Sequence, residues 1–364
     1  MQEKDKKMIS VCMGLYNGER YLEEQLQSIL QQTKTPDEVI LCDDGSTDAT
    51  VKIAEQFIEK NGLGSCWKLF CNESNKGYPE NLYYAMSLCQ GDLVFLADQD
   101  DIWELHKIEK MSSLMKQDKE ILALCCKFGL VDAEGKDIHS IMAPAQSHGT
   151  ENLRAVSITD VFRKCEWPGM VIAYRRKWYE ERMSCWQENN KKADCSEKEA
   201  KNAVQKEKTA EQKEEVLTEK KAEWWTKGKK MHPKIPHDFL VCAWAAEEGG
   251  FRQLDQELAY HRRHDSNTGG EEHRIGRLLN ASRKQKEIRD YLRILGAFTT
   301  EQVLSTKDGQ EALRMKKKTM EERYTALCSC KVIVVLKNAW KNRQNTRLVT
   351  AVCDVLICLR RPAG

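Results

Sequence analysis

The sequence predicts an α/β protein: a Rossmann-like, mainly parallel sheet flanked by helices, with a helical C-terminal extension. Three observations predict it. In about the first hundred residues, short apolar runs alternate with segments of helical periodicity. A polar loop follows each of the first four runs, and two of these loops are rich in Asp. From Glu271 onward the chain reads helical and rich in Arg and Lys.

The elements follow in order. Met8 to Leu15 is a short apolar run, expected as a buried strand, and Leu22, Leu26, Ile29 and Leu30 then keep helical spacing. Val39 to Cys42 is a second strand, with Val51, Ile53, Ala54, Phe57 and Ile58 marking the helix behind it. Trp67 to Cys71 is a third strand. The stripe Leu82, Ala85, Met86 and Cys89 is a helix that Gly91 is expected to close as its C-cap. Leu93 to Ala97 is a fourth strand, and Leu122 to Cys126 and Gly169 to Tyr174 read as two more. Strands alternating with helices in this way imply βαβ units. The segment from about 188 to 230 breaks the pattern: it is dense in Lys and Glu, expected as either a solvated helix with i,i+4 charge pairs or a disordered stretch, an exposed insertion with a protein-binding arm as the alternative. The expected division is therefore 1–270 for the α/β domain, insertion included, and 271–364 for the helical extension.

Bulk properties exclude several classes. With a formal net charge of +2, the chain gives no argument for nucleic acid, and none is expected as a partner. The 15 cysteines are scattered, and Cys12, Cys42, Cys89, Cys125 and Cys126 sit inside apolar runs, as small buried hydrophobes of a reducing compartment would. No Cys-x-x-Cys pair suggests a zinc site. Gln2 to Lys7 is polar and charged, unlike a secretory signal, and no apolar run reaches the roughly 18 residues a membrane span needs. A cytoplasmic location is expected, with peripheral association at the inner face of the cytoplasmic membrane through the basic C-terminal end as a further expectation.

In an open parallel sheet, ligands bind outside the carboxyl ends of the strands. The loops there are Tyr16-Asn17-Gly18-Glu19-Arg20, Asp43-Asp44-Gly45-Ser46-Thr47-Asp48, the stretch Asn72 to Gly77 containing Lys76, and Asp98-Gln99-Asp100-Asp101. Clustered carboxylates repel one another unless a cation or hydrogen-bond donors hold them. Mg²⁺ and Mn²⁺ prefer such oxygen ligands and bridge to phosphates. Neither G-x-G-x-x-G nor G-x-x-x-x-G-K-[ST] is present, which argues against dehydrogenases and P-loop proteins. Taken alone, the Asp43–Asp48 run also makes a good turn, with Thr47 or Asp48 capping the next helix.

These residues together resemble family 2 glycosyltransferases of the GT-A fold. The matching stretches are Ile9-Ser10-Val11 leading into Tyr16-Asn17-Gly18, then Cys42 to Asp48, then Asp98-Gln99-Asp100-Asp101-Ile102-Trp103. The last is similar to the form in rhamnosyltransferase-like members of bacterial surface polysaccharide synthesis. The resemblance implies a dTDP- or UDP-sugar donor, a saccharide or lipid-linked acceptor, and a divalent metal, Mn²⁺ or Mg²⁺. It implies that Asp44 bonds the pyrimidine ring, that Tyr16 packs on the base with Asp43 and Lys76 in the same donor pocket, that Asp98 contacts the sugar or ribose, and that Asp100 ligates the metal.

The resemblance further implies that Asp238, in Ile235-Pro236-His237-Asp238-Phe239-Leu240, is the general base of an inverting single displacement; its plain structural alternative is a helix N-cap. Asp101, Trp103, Gly169, His237, His261 and His264 are further candidates for acceptor or diphosphate contacts, with Arg263 beside the last two. Phe239-Leu240 replaces the family's usual aromatic pair at this point, and the charged insertion is a second departure. Two other classes compete. A nucleotidyltransferase would need a Gly-rich N-terminal loop with a basic residue, for which residues 14–20 offer only Gly14, Gly18 and Arg20. A degenerate transferase acting as a scaffold would have lost its acids, which are intact.

Overall fold

A computed structural model describes residues 8–138, 152–164, 167–202, 234–264, 280–343 and 348–360. Strand β1 (Ile9–Leu15) is buried on both faces, as a strand must be when it lies inside a sheet covered by helices. It pairs in parallel with β2 (Glu38–Asp43) on one side and β4 (Leu93–Asp98) on the other, and β2 pairs in parallel with β3 (Trp67–Cys71). The crossovers are α1 (Leu22–Leu30), α2 (Thr50–Lys60) and α3 (Tyr78–Leu88). This half of the sheet is the parallel βαβ array expected from the periodicity.

Beyond β4 the sheet is mixed. After β5 (Ile102–Trp103) and α4 (Lys107–Gln117) come β6 (Ala123–Val131), β7 (Leu153–Ala155), α5 (Ile158–Lys164) and β8 (Ile172–Arg175). β8 lies antiparallel between β4 and β6, and β9 (Phe251–Arg262) runs parallel to β6 and antiparallel to β5 and β7. The order is β3-β2-β1-β4-β8-β6-β9-β5, with β7 on β9.

Three expectations need correction. Gly91 is not the cap of α3, which ends at Leu88 with an extended Cys89; a Cβ on Gly91 would lie 2.6 Å from the Ser10 nitrogen, so this glycine lets the chain pass against β1. Gly169–Val171 is a 3₁₀ turn, and the strand begins only at Ile172. The residue before α2 is Ala49, one place beyond the expected cap, although Asp48 accepts the Thr50 N–H at 3.0 Å. The first residues of the charged insertion lie in helix α6 (Arg176–Asn202), the helical one of the two readings of that segment. Residues 203–230 of the insertion, with Trp224 and Trp225, lie outside the described residues, as does 271–279 of the C-terminal extension.

Helix α7 (His237–Glu247) is apolar on all sides and nearly all buried, which suits a helix at the centre of a core. The extension adds α8 (Ala281–Thr300), α9 (Lys307–Ser329), α10 (Val332–Lys341) and α11 (Leu348–Arg360). It shares the core of the α/β region: Phe298 packs edge-on against Phe162 and Phe239, with centroids 5.4 and 5.0 Å apart, and Tyr291 stacks on Phe239. Trp244 Nε1 donates to the Val303 carbonyl at 3.0 Å. At the end of α7, Glu247 Oε1 accepts the N–H groups of Ser305 and Thr306, both at 2.7 Å, while Oε2 pairs with Arg182.

The side chain of Glu247 is 1% exposed, so truncating it leaves Arg182 with only the longer pair to Glu248, at 3.5 Å, and strands two backbone donors. Glu247→Ala is expected to cost about 3 kcal/mol, read as a lower denaturant midpoint, with Glu247→Gln losing clearly less. Equal losses in the two variants would deny the charge this role.

Candidate active site

The parallel register decides where the loops meet. Gly14 lies opposite both Cys42 and Asp98, and Asp43 lies opposite Leu15 and Cys71, so the chain leaves β1, β2, β3 and β4 at one edge. The first two loops are knitted by side chains. Asn17, left-handed at φ 46°, accepts the Thr47 N–H at 2.9 Å, and its own N–H donates to Ser46 Oγ. Gly18 N–H donates to Thr50 Oγ1, and Glu19 accepts the Ala49 N–H. Gln99 joins the fourth loop to the first: Oε1 accepts the Tyr16 N–H and Nε2 donates to the Tyr16 carbonyl, each at 2.9 Å. A Cβ on Gly18 would meet Gln99 Oε1 at 2.4 Å, so the clamp needs that glycine. With its backbone held, Tyr16 leaves its ring 48% exposed at the mouth of the crevice.

The two adjacent acids of the second loop do different work. Asp43 builds the turn, accepting from the Gly45 and Ser46 N–H groups at 3.0 and 2.9 Å. Asp44 reaches across to the β3–α3 loop, accepting from Asn72 Nδ2 at 3.0 Å and from the N–H groups of Lys76 and Gly77 at 2.8 Å. The Lys76 ammonium lies over the Tyr84 ring, 4.8 Å from its centroid.

The fourth loop holds the charge. Burial pushes the Asp98 carboxyl well above the usual carboxylate range, and the charges of Asp101, Asp100 and Asp238 add to the push. The same four acids surround Tyr78, whose side chain is half exposed while its hydroxyl sits in crowded surroundings; crowding and the carboxylates raise its pKa. Asp238 stands in the first turn of α7, with Oδ1 on the Phe239 N–H at 2.7 Å, so the helix brings it to the acids of β4.

Asp101 departs from expectation. It is fully buried, and Oδ1 accepts from His261 Nδ1 at 2.9 Å and the Arg262 N–H at 3.0 Å. It therefore positions β9 rather than meeting a ligand. Trp103 is likewise core, 3% exposed, packed on Phe95 and over the Lys107 ammonium. His261 loses some basicity to burial, but the bond from Asp101 and the charges of Asp101, Asp100 and Asp98 outweigh that and raise its pKa. His264 Nε2 lies 2.8 Å from Asp100 Oδ2, with its ring 4.5 Å from that of Tyr21.

Three residues that the sequence reading did not single out complete the frame. Gln99 is the clamp described above. Arg262, 1% exposed, donates from Nε to the Asp100 carbonyl and from Nη1 to the Ala133 carbonyl, both at 3.0 Å, and pairs with Glu24. Lys107, fully buried, donates to the Met170 carbonyl, and burial pulls its pKa down to about 8. Arg263, by contrast, contributes its N–H to the Val131 carbonyl.

On the other side, Gly169 and His237 touch. His237 is completely buried, neither ring nitrogen has a hydrogen-bond partner, and burial lowers its pKa. A Cβ on Gly169 would lie 2.9 Å from His237 Nε2. Both residues line the wall beneath Asp238 and Tyr78, the Tyr78 ring lying 5.5 Å from the imidazole. The structure thus gathers Tyr16, Asp98, Asp100, Asp238, His261 and His264 at one edge. It keeps Asp101, Trp103 and His237 below the surface.

An open α/β sheet with an acid-lined crevice at the carboxyl ends of its parallel strands belongs to the class that binds nucleotides there. Residues 10–182 match the family Glycosyl transferase family 2. Among curated relatives, the "Putative glycosyltransferase EpsE" of Bacillus subtilis is 38% identical over 109 residues, 30% of this chain and 38% of that protein. The "UDP-Glc:alpha-D-GlcNAc-diphosphoundecaprenol beta-1,3-glucosyltransferase WfgD" of Escherichia coli is 32% identical over 111 residues, 30% of this chain and 42% of that protein. The matches span only 38 to 51% of the lengths of the first curated relatives. A solved structure of S. aureus TarS (residues 1–349) in complex with UDP-GlcNAc superposes with a TM-score of 0.47 at 15% identity, covering 97% of this chain and 89% of that one.

Gly169→Ala is expected to destabilise the fold by about 1–3 kcal/mol through contact with the imidazole. His237→Ala in the same chain should recover part of that loss, and additive effects in a double-mutant cycle would sink the idea. Lys107 gives a pH signature. Its folded pKa, about 8, lies below the unfolded value near 10.4, so the folded state gives up its proton first, and stability gained from this group rises with pH across that window. Chemical unfolding of wild type and Lys107→Met should show the wild type gaining on the variant between about pH 8 and 10.

Proposed function

We propose that this chain is a nucleotide-sugar-dependent glycosyltransferase that moves a hexose or deoxyhexose to a saccharide or lipid-linked saccharide acceptor with inversion. The observation that carries this reading is the placing of Asp98 and Asp100 at the carboxyl end of β4, with His264 on Asp100, and of Asp238 in the first turn of α7, beside the His237 that the half-exposed Tyr78 ring meets. The E. coli relative named for transfer from UDP-Glc to a diphosphoundecaprenol-linked GlcNAc supports the donor and acceptor classes. Rhamnose from dTDP-rhamnose is the first sugar to test, given the Asp98-Gln99-Asp100-Asp101 form of the motif.

A divalent cation fits the donor set. Asp100 and His264 present a carboxylate oxygen and an imidazole nitrogen 2.8 Å apart. Among the described residues no third His, Cys, Asp or Glu completes a cluster, as expected when diphosphate oxygens and water fill the remaining positions. When bound, Mn²⁺ or Mg²⁺ would stabilise charge on the departing nucleoside diphosphate. Tyr16 would cover the base, and Asp44, buried and bonded by Asn72 and by the Lys76 and Gly77 N–H groups, would hold the loop that borders the nucleoside.

Asp238 holds one carboxylate oxygen on the Phe239 N–H, and the other takes the proton of the acceptor hydroxyl. The hydroxyl oxygen attacks the anomeric carbon, the bond to the diphosphate oxygen breaks, and the nucleoside diphosphate leaves from the opposite face. His261, held by Asp101, supplies positive charge beside the acids. Peripheral attachment to the cytoplasmic membrane face would bring a lipid-linked acceptor within reach.

The test is thermal stabilisation by dTDP-rhamnose and a set of UDP- and GDP-sugars, with and without Mn²⁺. Binding to the native state raises the melting temperature by mass action. One donor is expected to stabilise the protein in a metal-dependent way that Asp100→Ala abolishes. Asp238→Asn should keep that stabilisation but slow transfer by about 10²–10⁴-fold. A folded protein indifferent to every donor would overturn the proposal.

A further inference from the structure

The last two helices carry a surface that the site does not use. In α10, Val335 faces the bundle, while Ile333 is 68%, Leu336 52% and Trp340 74% exposed. Positions 333, 336 and 340 follow helical spacing, so these side chains form one stripe on the outer face. In α11, Val352, Leu356 and Leu359 repeat the pattern, opposite the buried Cys353, Ile357 and Cys358. Scattered exposed apolar residues need no explanation, but two adjoining helices each with an apolar stripe do.

The segment that carries these stripes is itself predominantly basic. Residues 331–360 contain six Lys or Arg and a single acid. That acid, Asp354, is buried in a two-bond pair with Arg323 of α9, at 2.7 and 2.9 Å. Lys331 and Lys337 are exposed on α10 itself, and the Arg343 guanidinium lies 5.1 Å from the centre of the exposed Trp340 ring. The platform is fixed: Lys341 bonds Glu322 at 2.7 Å and Asn342 bonds the same carboxylate at 3.0 Å, tying the end of α10 to α9. No helix among the described residues is long and apolar enough to cross a membrane.

We propose that α10 and α11 form a docking surface for an anionic lipid bilayer, with Ile333, Leu336 and Trp340 entering the interface and Lys331, Lys337 and Arg343 meeting the headgroups. An apolar stripe flanked by basic residues, with an aromatic ring at its edge, has the chemistry of an interfacial helix. A second protein chain would need acids facing this basic rim, whereas an anionic leaflet supplies them everywhere. This deepens the lipid-linked reading of the acceptor but does not depend on the donor chemistry, and its test uses no nucleotide-sugar.

The full chain is sedimented with vesicles of phosphatidylcholine alone or of an equimolar mixture with phosphatidylglycerol. Binding to the mixed vesicles is expected, weakened by salt. Replacing Ile333, Leu336 and Trp340 with Ser should lower partitioning by about tenfold or more, and Lys331→Gln with Lys337→Gln should weaken it while leaving the apolar stripe intact. Melting temperature and donor-induced stabilisation should stay at wild-type values in both variants, showing that the catalytic half is untouched. Two results would overturn the proposal: no binding to mixed vesicles by a monodisperse protein, or a concentration-dependent dimer that the triple Ser variant abolishes, which would make a second copy the occupant.

Discussion

Asp101 has no access to solvent, yet the arrangement of the crevice depends on it. One of its oxygens accepts both the His261 imidazole and the Arg262 N–H, which joins the end of β4 to the end of β9 across about 160 residues of sequence. Burial pushes this carboxyl upward, and the two donors pull it part of the way back. Arg262 then turns its side chain to the Asp100 carbonyl and to Glu24. The two-residue strand β5 lies antiparallel to β9 beside these bonds. Asp100 and His264 are consequently held together by their neighbours before any ligand arrives.

Holding them this way is costly in isolation. Several carboxylates share one edge, Lys107 and Arg262 are buried with their charges, and removing one member of a buried pair typically costs about 3–5 kcal/mol because the other is left behind. Groups held fixed beforehand need no reorganisation when charge moves in a reaction. The raised pKa of Asp98 comes first from its burial and then from the neighbouring acids, a repulsion that a cation would relieve.

Much of this was legible in the sequence where the signal is local. The first four strands and three helices follow from periods of two and 3.6, and the acids at strand ends follow from the rule about carboxyl edges. What was illegible depends on contacts between distant residues. Gln99 looks like a spacer between acids until Tyr16 is seen lying in its amide, and Arg262 looks like part of a basic loop until Asp100 is seen to accept from it. Gly91 was misread because a glycine after a helix usually signals a cap, whereas here it makes room for Ser10. Asp101 and Trp103 read as ligand contacts because the motif is contiguous, but alternation along β5 sends them inward.

Helix α7 links these observations. Its first turn carries Asp238, and the imidazole before it fills the gap that Gly169 leaves. Its middle places Phe239 among Phe162, Tyr291 and Phe298, and its last residue, Glu247, holds the entry to α9. The angle at which Asp238 meets the crevice is thus set at one end by β4 and the 3₁₀ turn at Gly169, and at the other by the C-terminal helices. A proton acceptor must be aimed to within a few tenths of an ångström to be useful, and a helix clamped at both ends can do that where a loop could not. The C-terminal helices, which in sequence look like an appendage, are in this respect part of the frame that would aim the base, and their outer face is the one left with apolar stripes.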